Sequence, residues 1–422
     1  MRLLQFYSIT LALLLASCQS LTPPSKAIAK PVVADDYLDL IITYSIYAKT
    51  IWHPADAGGY WGPGISEPNG NGAVRGMANT AAGYAFLALA MDNQWLSDDQ
   101  RAQLTEAKLS RDELIRYVTQ NLEHLSAHHK STPDALQPTW GFSWQSSMWT
   151  GAWGCAALLI WKDLPQPLKK DLSRIAATEA DRIASKPPKD ARPGDTGAEE
   201  NGWDTHAPAI ALAMSPNHPR ATQWMRALKT YAANTYSTKA DQTSTARVGS
   251  HLVKDIVTTA NLFDDFSLDN HGFFHPDYVQ VSGQELGEAW LYVQLGDRIN
   301  RTNLASEFKP YALHHAKEVW ENAAKPLILP TGEFTFPNGT DWTVNASITP
   351  SYYAYIATGI GDPIAVDALQ RLPRQALKRR DQSPPGRILG DSNLEWWWEP
   401  ILIKRSTTAL LQLALRANTL PP

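Results

Sequence analysis

Cysteine is nearly missing. Two in 422 residues exclude a disulfide scaffold and any cysteine-built zinc or iron–sulfur site. Charge is also sparse, at 19% of residues, and the net value of −4 carries no basic excess of the kind a nucleic-acid binder shows. Strict alternation of apolar and polar residues is scarce, so little of the chain predicts strand. No fixed internal period marks a solenoid. Gly (25) and Pro (29) are too few for a collagen-like or low-complexity chain, and 44% hydrophobic residues suffice for a sizeable core. What the chain has in excess is large flat rings, 16 Trp beside 15 Tyr. Half-apolar rings in such number suit a partner that stacks, and sugars are the commonest such partner.

The N-terminus carries an address. Arg2 supplies a positive start, and Leu3 to Ala16 is an apolar run too short to span a bilayer comfortably. It ends in Leu15-Ala16-Ser17-Cys18, which resembles the bacterial lipoprotein signal, in which the cysteine is freed by cleavage and acylated. Residues 1–17 are thus expected to be a signal peptide and 18–35 a Ser/Pro/Ala/Lys tether. The folded remainder, 36–422, would then hang from a bacterial envelope membrane, the outer one by preference. Cys155 lies in the apolar segment Trp153-Gly154-Cys155-Ala156-Ala157 and is expected to be a buried core thiol.

From Asp36 onward the pattern predicts helices separated by aromatic-rich loops. The expected helices are 37–49, 80–92, 111–128, 148–162, 167–185, 205–214, 220–236, 285–295, 308–324, 352–358 and 405–416. Some are apolar nearly all round, such as Thr80 to Ala90, and must be enclosed by others; others are amphipathic. Alternation of enclosed and covering helices, with at most a hairpin at 327–336, predicts an all-α toroid of helical hairpins in one domain.

Chemistry is expected in four loops: 52–79, 140–146, 199–206 and 264–278. The last is densest. It holds Asp264, Asp265, Asn270, His271, His275 and Tyr278. Gly272 and Pro276 argue against a helix through His271 and His275, so a metal reading of that pair lacks its scaffold, and no metal or cofactor is expected. An amide, an imidazole and a phenol together suit β-elimination of a uronic-acid polymer. The amide holds the carboxylate as charge builds on it, a neutral imidazole takes the C5 proton, and a phenol protonates the departing O4.

Asn270-His271-Gly272 resembles the Asn-His-Gly signature in the toroid domain of heparinase III-like and oligoalginate lyases. The single-domain layout is similar to the alginate and glucuronan lyases. That resemblance implies that Asn270 neutralises the carboxylate and that His271 is base or neutraliser. Asn201, in Glu-Asn-Gly-Trp-Asp, resembles a further position able to supply the amide. Those families place a Tyr some fifty residues after the pair, a stretch without one here. Tyr278 is therefore assigned as the acid/base, with His275 beside it and Tyr352 and Tyr353 behind. Trp61, Trp144, Trp203 and Trp342 sit in loops as expected sugar platforms, and Arg75 as a clamp on a substrate carboxylate. The expected partner is an anionic polysaccharide, not nucleic acid.

Two other classes stay open. A toroid glycoside hydrolase would draw a carboxylate pair from Asp204, Asp264, Asp265, Asp341 and Glu395. A non-catalytic glycan-binding lipoprotein would use the Trp rings alone.

Overall fold

The computed structural model describes residues 30–31, 34–65, 71–339, 348–390 and 396–417. The fold is all-α. Its helices are α1 (Ala34–Thr50), α2 (Asn71–Asp92), α3 (Asp98–Glu106), α4 (Arg111–Ala127), α5 (Ser146–Leu159), α6 (Gln166–Ala184), α7 (Ala198–Asp204) and α8 (His206–Met214). Then come α9 (Ala221–Thr235), α10 (Val253–Ile256), α11 (Pro276–Asn300), α12 (Leu304–Ala312), α13 (Ala316–Val319), α14 (Pro350–Gly359), α15 (Pro363–Asp381) and α16 (Trp398–Ala417). Strand is confined to three small antiparallel hairpins: β1–β2 (Trp52–Pro54 with Gly59–Trp61), β3–β4 (Arg247–Val248 with His251–Leu252) and β5–β6 (Asp269–Asn270 with Phe273–Phe274). No described helix is long and apolar enough to cross a membrane.

Local chemistry sets several helix ends. Ser97 and Gln100 form a capping box at α3, Ser110 caps α4 and Asp362 caps α15, each satisfying an amide that the first turn leaves open. Packing does the rest. Helix α2 lies against α5, α5 against α8, α8 against α11, α11 against α14, α14 against α16, and α16 returns to α2, so the neighbour relations close into a circuit. Outside them, α4 covers α2, α6 covers α8, α9 covers α8, α12 covers α11, α15 covers α14 and α1 covers α16. A helix with neighbours on most sides has no wet face, which is why α5 and α8 are buried along their whole length. Close approach needs missing side chains: a Cβ on Gly296 would stand 2.4 Å from the Ala213 Cα, and one on Gly154 2.6 Å from Ile210.

Several expectations shift. The glycine-rich stretch ending at Asn79 is not loop from residue 71 onward but the first turns of α2. Helix α11 begins nine residues earlier than expected, at Pro276, whose fixed φ suits a first turn, so Tyr278 is helical. The expected helix over 308–324 is broken between α12 and α13, where His315 takes a left-handed conformation (φ 52°). The 327–336 hairpin reduces to a single Ile328–Phe334 bridge. Cys155 is a fully buried free thiol whose pKa burial pushes up to about 12, as a core position requires.

Trp61 is corrected outright. It has no exposed surface and is wedged among Trp52, Tyr84 and Tyr117 at ring-centroid distances of 4.8, 4.9 and 6.3 Å, so it cannot stack on a ligand. Its loop was short enough for β1–β2 to fold it inward. Trp61→Ala should therefore cost about 3–5 kcal/mol in urea unfolding, from lost transfer energy plus the cavity left behind.

Candidate active-site cleft

One open cleft of about 500 Å³ is lined by Trp144, Pro193, Gly194, Asp195, Glu199, Glu200, Trp203, Asn270, His271, Gly272 and Tyr278. It gathers parts of three of the four expected loops. Trp342, Asp341, Glu395 and Cys18 lie outside the described residues.

The Asn270-His271-Gly272-Phe273 segment is a hairpin turn joining β5 to β6, with Asn270 paired to Phe273. Both central residues have positive φ, 55° at His271 and 86° at Gly272, as a type I′ turn requires. Glycine takes that region freely, whereas a histidine there is held against its preference. The turn is pinned across the cleft by a 2.8 Å bond from the Gly272 amide to the Gly194 carbonyl, and the Thr196 amide donates to the Asp269 carbonyl at 2.9 Å. His271 is thereby raised into solvent at the rim. Its Nε2 lies 3.2 Å from the Tyr278 hydroxyl, which the early start of α11 delivers from below.

His275 is not a lining residue. It is fully buried, stacked on Phe273 at 4.8 Å and edge-on to Tyr278 at 4.7 Å and to His271 at 5.6 Å. It supports the two rings that reach the cleft rather than reaching it itself.

Helix α7 separates residues that looked equivalent in the sequence. Asn201 is buried and saturated: its Oδ1 accepts from the Lys189 amide, and its Nδ2 donates to the carbonyls of Lys189 and Asn234. It ties segments together and offers no amide to a ligand. Two residues earlier, about 200° round the helix, Glu199 faces the cleft, and Trp203, one turn on, shares that face. Glu199 was inside the third loop but unmarked, because nothing in sequence separates a buried glutamate from a capping one.

Glu199 is the most perturbed group in the cleft. Burial pushes its carboxyl well above the ordinary value of 4.5, and the charges of Glu200 and Asp195 push in the same direction. The shift favours its neutral, protonated form over the carboxylate. Its Oε1 accepts from Asn270 Nδ2 at 3.4 Å, while Oε2 has no hydrogen-bond partner. Glu200 is ion-paired to Lys189.

The aromatic wall is Trp144, 54% exposed, set edge-on against Trp203 at 5.3 Å. The loop bearing Trp144 is held from behind by the buried Glu179, which accepts from the Phe142 amide (2.8 Å), the Ser146 hydroxyl (2.8 Å) and Arg182 (2.8 Å). Burial acts to raise that carboxyl, but the bonds and charges from His129, Arg182 and Phe142 prevail and bring it down to about 2.

Arg75 is elsewhere. It lies inside the helix circuit against the Trp397 ring (4.7 Å) and lines a separate cavity of about 20 Å³ with Glu285, Lys404 and Arg405, so its charge answers interior carboxylates. Asp204, the last residue of α7, is half-buried and outside the cleft lining, and desolvation pushes its pKa up to about 7. Asp264 and Asp265 are exposed, and Asp265 accepts from the Ser267 amide and hydroxyl within its own turn.

No family model, curated protein or solved structure matches the chain.

A raised carboxyl favours folding where the unfolded chain would also hold the proton and loses that contribution as pH rises. Glu199 thus stabilises fully below about pH 4.5, and increasingly less as pH climbs toward its native pKa. Glu199→Gln, which mimics the protonated form, should melt with the parent near pH 4.5 and progressively above it at higher pH in thermal scans. A constant difference across the range would contradict the protonated assignment.

Proposed function

We propose that this protein is a polysaccharide lyase cleaving a uronic-acid-containing polymer by β-elimination, on an (α/α) toroid tethered to the bacterial envelope through Cys18. The observation that carries the reading is the convergence, in one open cleft, of a His271–Tyr278 pair in hydrogen-bond contact with the Asn270 amide and the buried Glu199 carboxyl that accepts from it. The closed circuit of helix contacts supports the toroid, and the apolar run ending at Cys18 supports the tether.

The chemistry follows from which groups face the sugar. A uronate carboxylate set against the Asn270 amide meets a neutral donor, which binds it without adding charge and strengthens its bond as the C5 carbanion delocalises into it; Glu199, whose raised pKa favours the protonated form, adds a second donor whenever it holds its proton. His271 acts as the base that removes the C5 proton, the C4–O4 bond breaks as C4=C5 forms, and Tyr278 gives its proton to O4. The imidazolium then returns a proton to the phenolate across their 3.2 Å contact, and the site is restored without water or a nucleophile. Trp144 would hold a sugar ring at the rim, with the buried Trp203 set edge-on behind it.

A hydrolase is the second reading, favoured by one observation: Glu199, with its raised pKa, shares the cleft with Asp195 and Glu200, and a hydrolase needs such a carboxyl pair as acid and base. It leaves the His271–Tyr278 pair without work. Glucuronan, alginate or a glycosaminoglycan incubated with the protein should develop the ultraviolet absorbance of a 4,5-unsaturated uronate. New reducing ends lacking that absorbance would replace the lyase by the hydrolase. His271→Ala and Tyr278→Phe should each slow the lyase by about 10²–10⁴-fold with helical content unchanged, and wild-type rates in both would remove the site.

A further inference from the structure

A second cluster lies away from the cleft lining, where the short 3₁₀ turn after α9 meets the break between α12 and α13. Asp241 sits in that turn, and His314 and His315 form the break. We propose that Asp241, His314 and His315 form a three-ligand site for a divalent transition metal, zinc by its chemistry. The proposal does not rest on the lyase reading.

The geometry is that of a site already assembled. His315 Nε2 lies 2.9 Å from Asp241 Oδ1, and His314 Nε2 lies 3.8 Å from the same oxygen. One ligand atom from each residue falls within 4.8 Å of the others. Ligands at about 2.0–2.1 Å in a tetrahedron stand about 3.3 Å apart, so each of the two Asp241–histidine distances is within about half an ångström of that spacing. Two consecutive histidines on a regular helix would diverge by about 100°. The left-handed φ of 52° at His315 brings their rings instead to 4.0 Å between centroids.

The independent sign is His314. Its side chain is only 8% exposed, and its Nε2 is buried without a hydrogen-bond partner, aimed at the Asp241 carboxylate from beyond bonding distance. A buried imidazole nitrogen left 3.8 Å short of a carboxylate is costly unless something sits between them. The outer contacts also suit a metal site. Asp241 Oδ2 is fixed by the Thr238 amide (2.7 Å) and hydroxyl (3.0 Å), which leaves Oδ1 to ligate. His315 is 21% exposed, so the fourth position opens to water. The other close group, His206 with Glu285 and Glu288, is sealed and already neutralised by the Lys404 ammonium on Glu288.

An ion here would also brace the cleft. Phe266, in the loop leading to the His271 turn, packs 5.1 Å from the His315 ring. The test is calorimetric titration of tag-free, chelator-treated full chain with zinc chloride, repeated with cobalt to read the d–d spectrum of a nitrogen/oxygen site. Wild type and His271→Ala should each bind one equivalent, while His314→Gln and His315→Ala should each weaken binding about 100-fold or more. The partly exposed His315 position keeps the comparison interpretable if His314→Gln fails to fold. Absence of binding at about 100 μM zinc, wild-type binding in His315→Ala, or loss of the equivalent in His271→Ala would each overturn the proposal.

Discussion

Six helices that each touch two others in a closed circuit have almost no face left for water, and this constraint governs the rest of the chain. Most of their residues are small or apolar, and the charged groups enclosed among them pair with one another. Glu288 therefore holds both the Lys404 ammonium and the Thr408 hydroxyl, and His206 lies 2.9 Å from Glu285. Burial pushes Lys404 down to about 8, so the interior tolerates its charge only because carboxylates surround it. With the interior spoken for, functional groups are displaced to the ends of the helices, where the loops meet.

The helical class was legible because all-apolar segments such as Thr80 to Ala90 admit no other explanation. The ends of those segments were not. Asn71 to Asn79 has the composition of a loop, yet Ala73, Val74, Met77 and Ala78 are buried against neighbours, so tertiary packing overrides the low helix propensity of glycine. The same blindness applied to tryptophan. Trp61 and Trp144 stand in similarly glycine-marked surroundings, but a three-residue hairpin folds one ring into the core and a buried glutamate holds the other outward.

The cleft was half legible. Asn270, His271 and Tyr278 were visible as a dense polar cluster, and the fold brings all three to one wall. Glu199 and Asn201 stand two positions apart, and their fates differ only by helical phase, which a seven-residue helix does not announce. His314 and His315 were hidden for a further reason. Their partner lies more than seventy positions upstream, and nothing local reveals that a left-handed residue folds two neighbouring rings together.

Cys155 has a consequence beyond packing. Its sulfur is sealed off from solvent and disfavoured as a thiolate, and it is the cysteine of the described body. Thiol–disulfide exchange needs an accessible thiolate, so this body has no handle for it. Transfer from a reducing to an oxidising compartment would leave its covalent structure unchanged, and folding on either side of a membrane needs no disulfide catalyst.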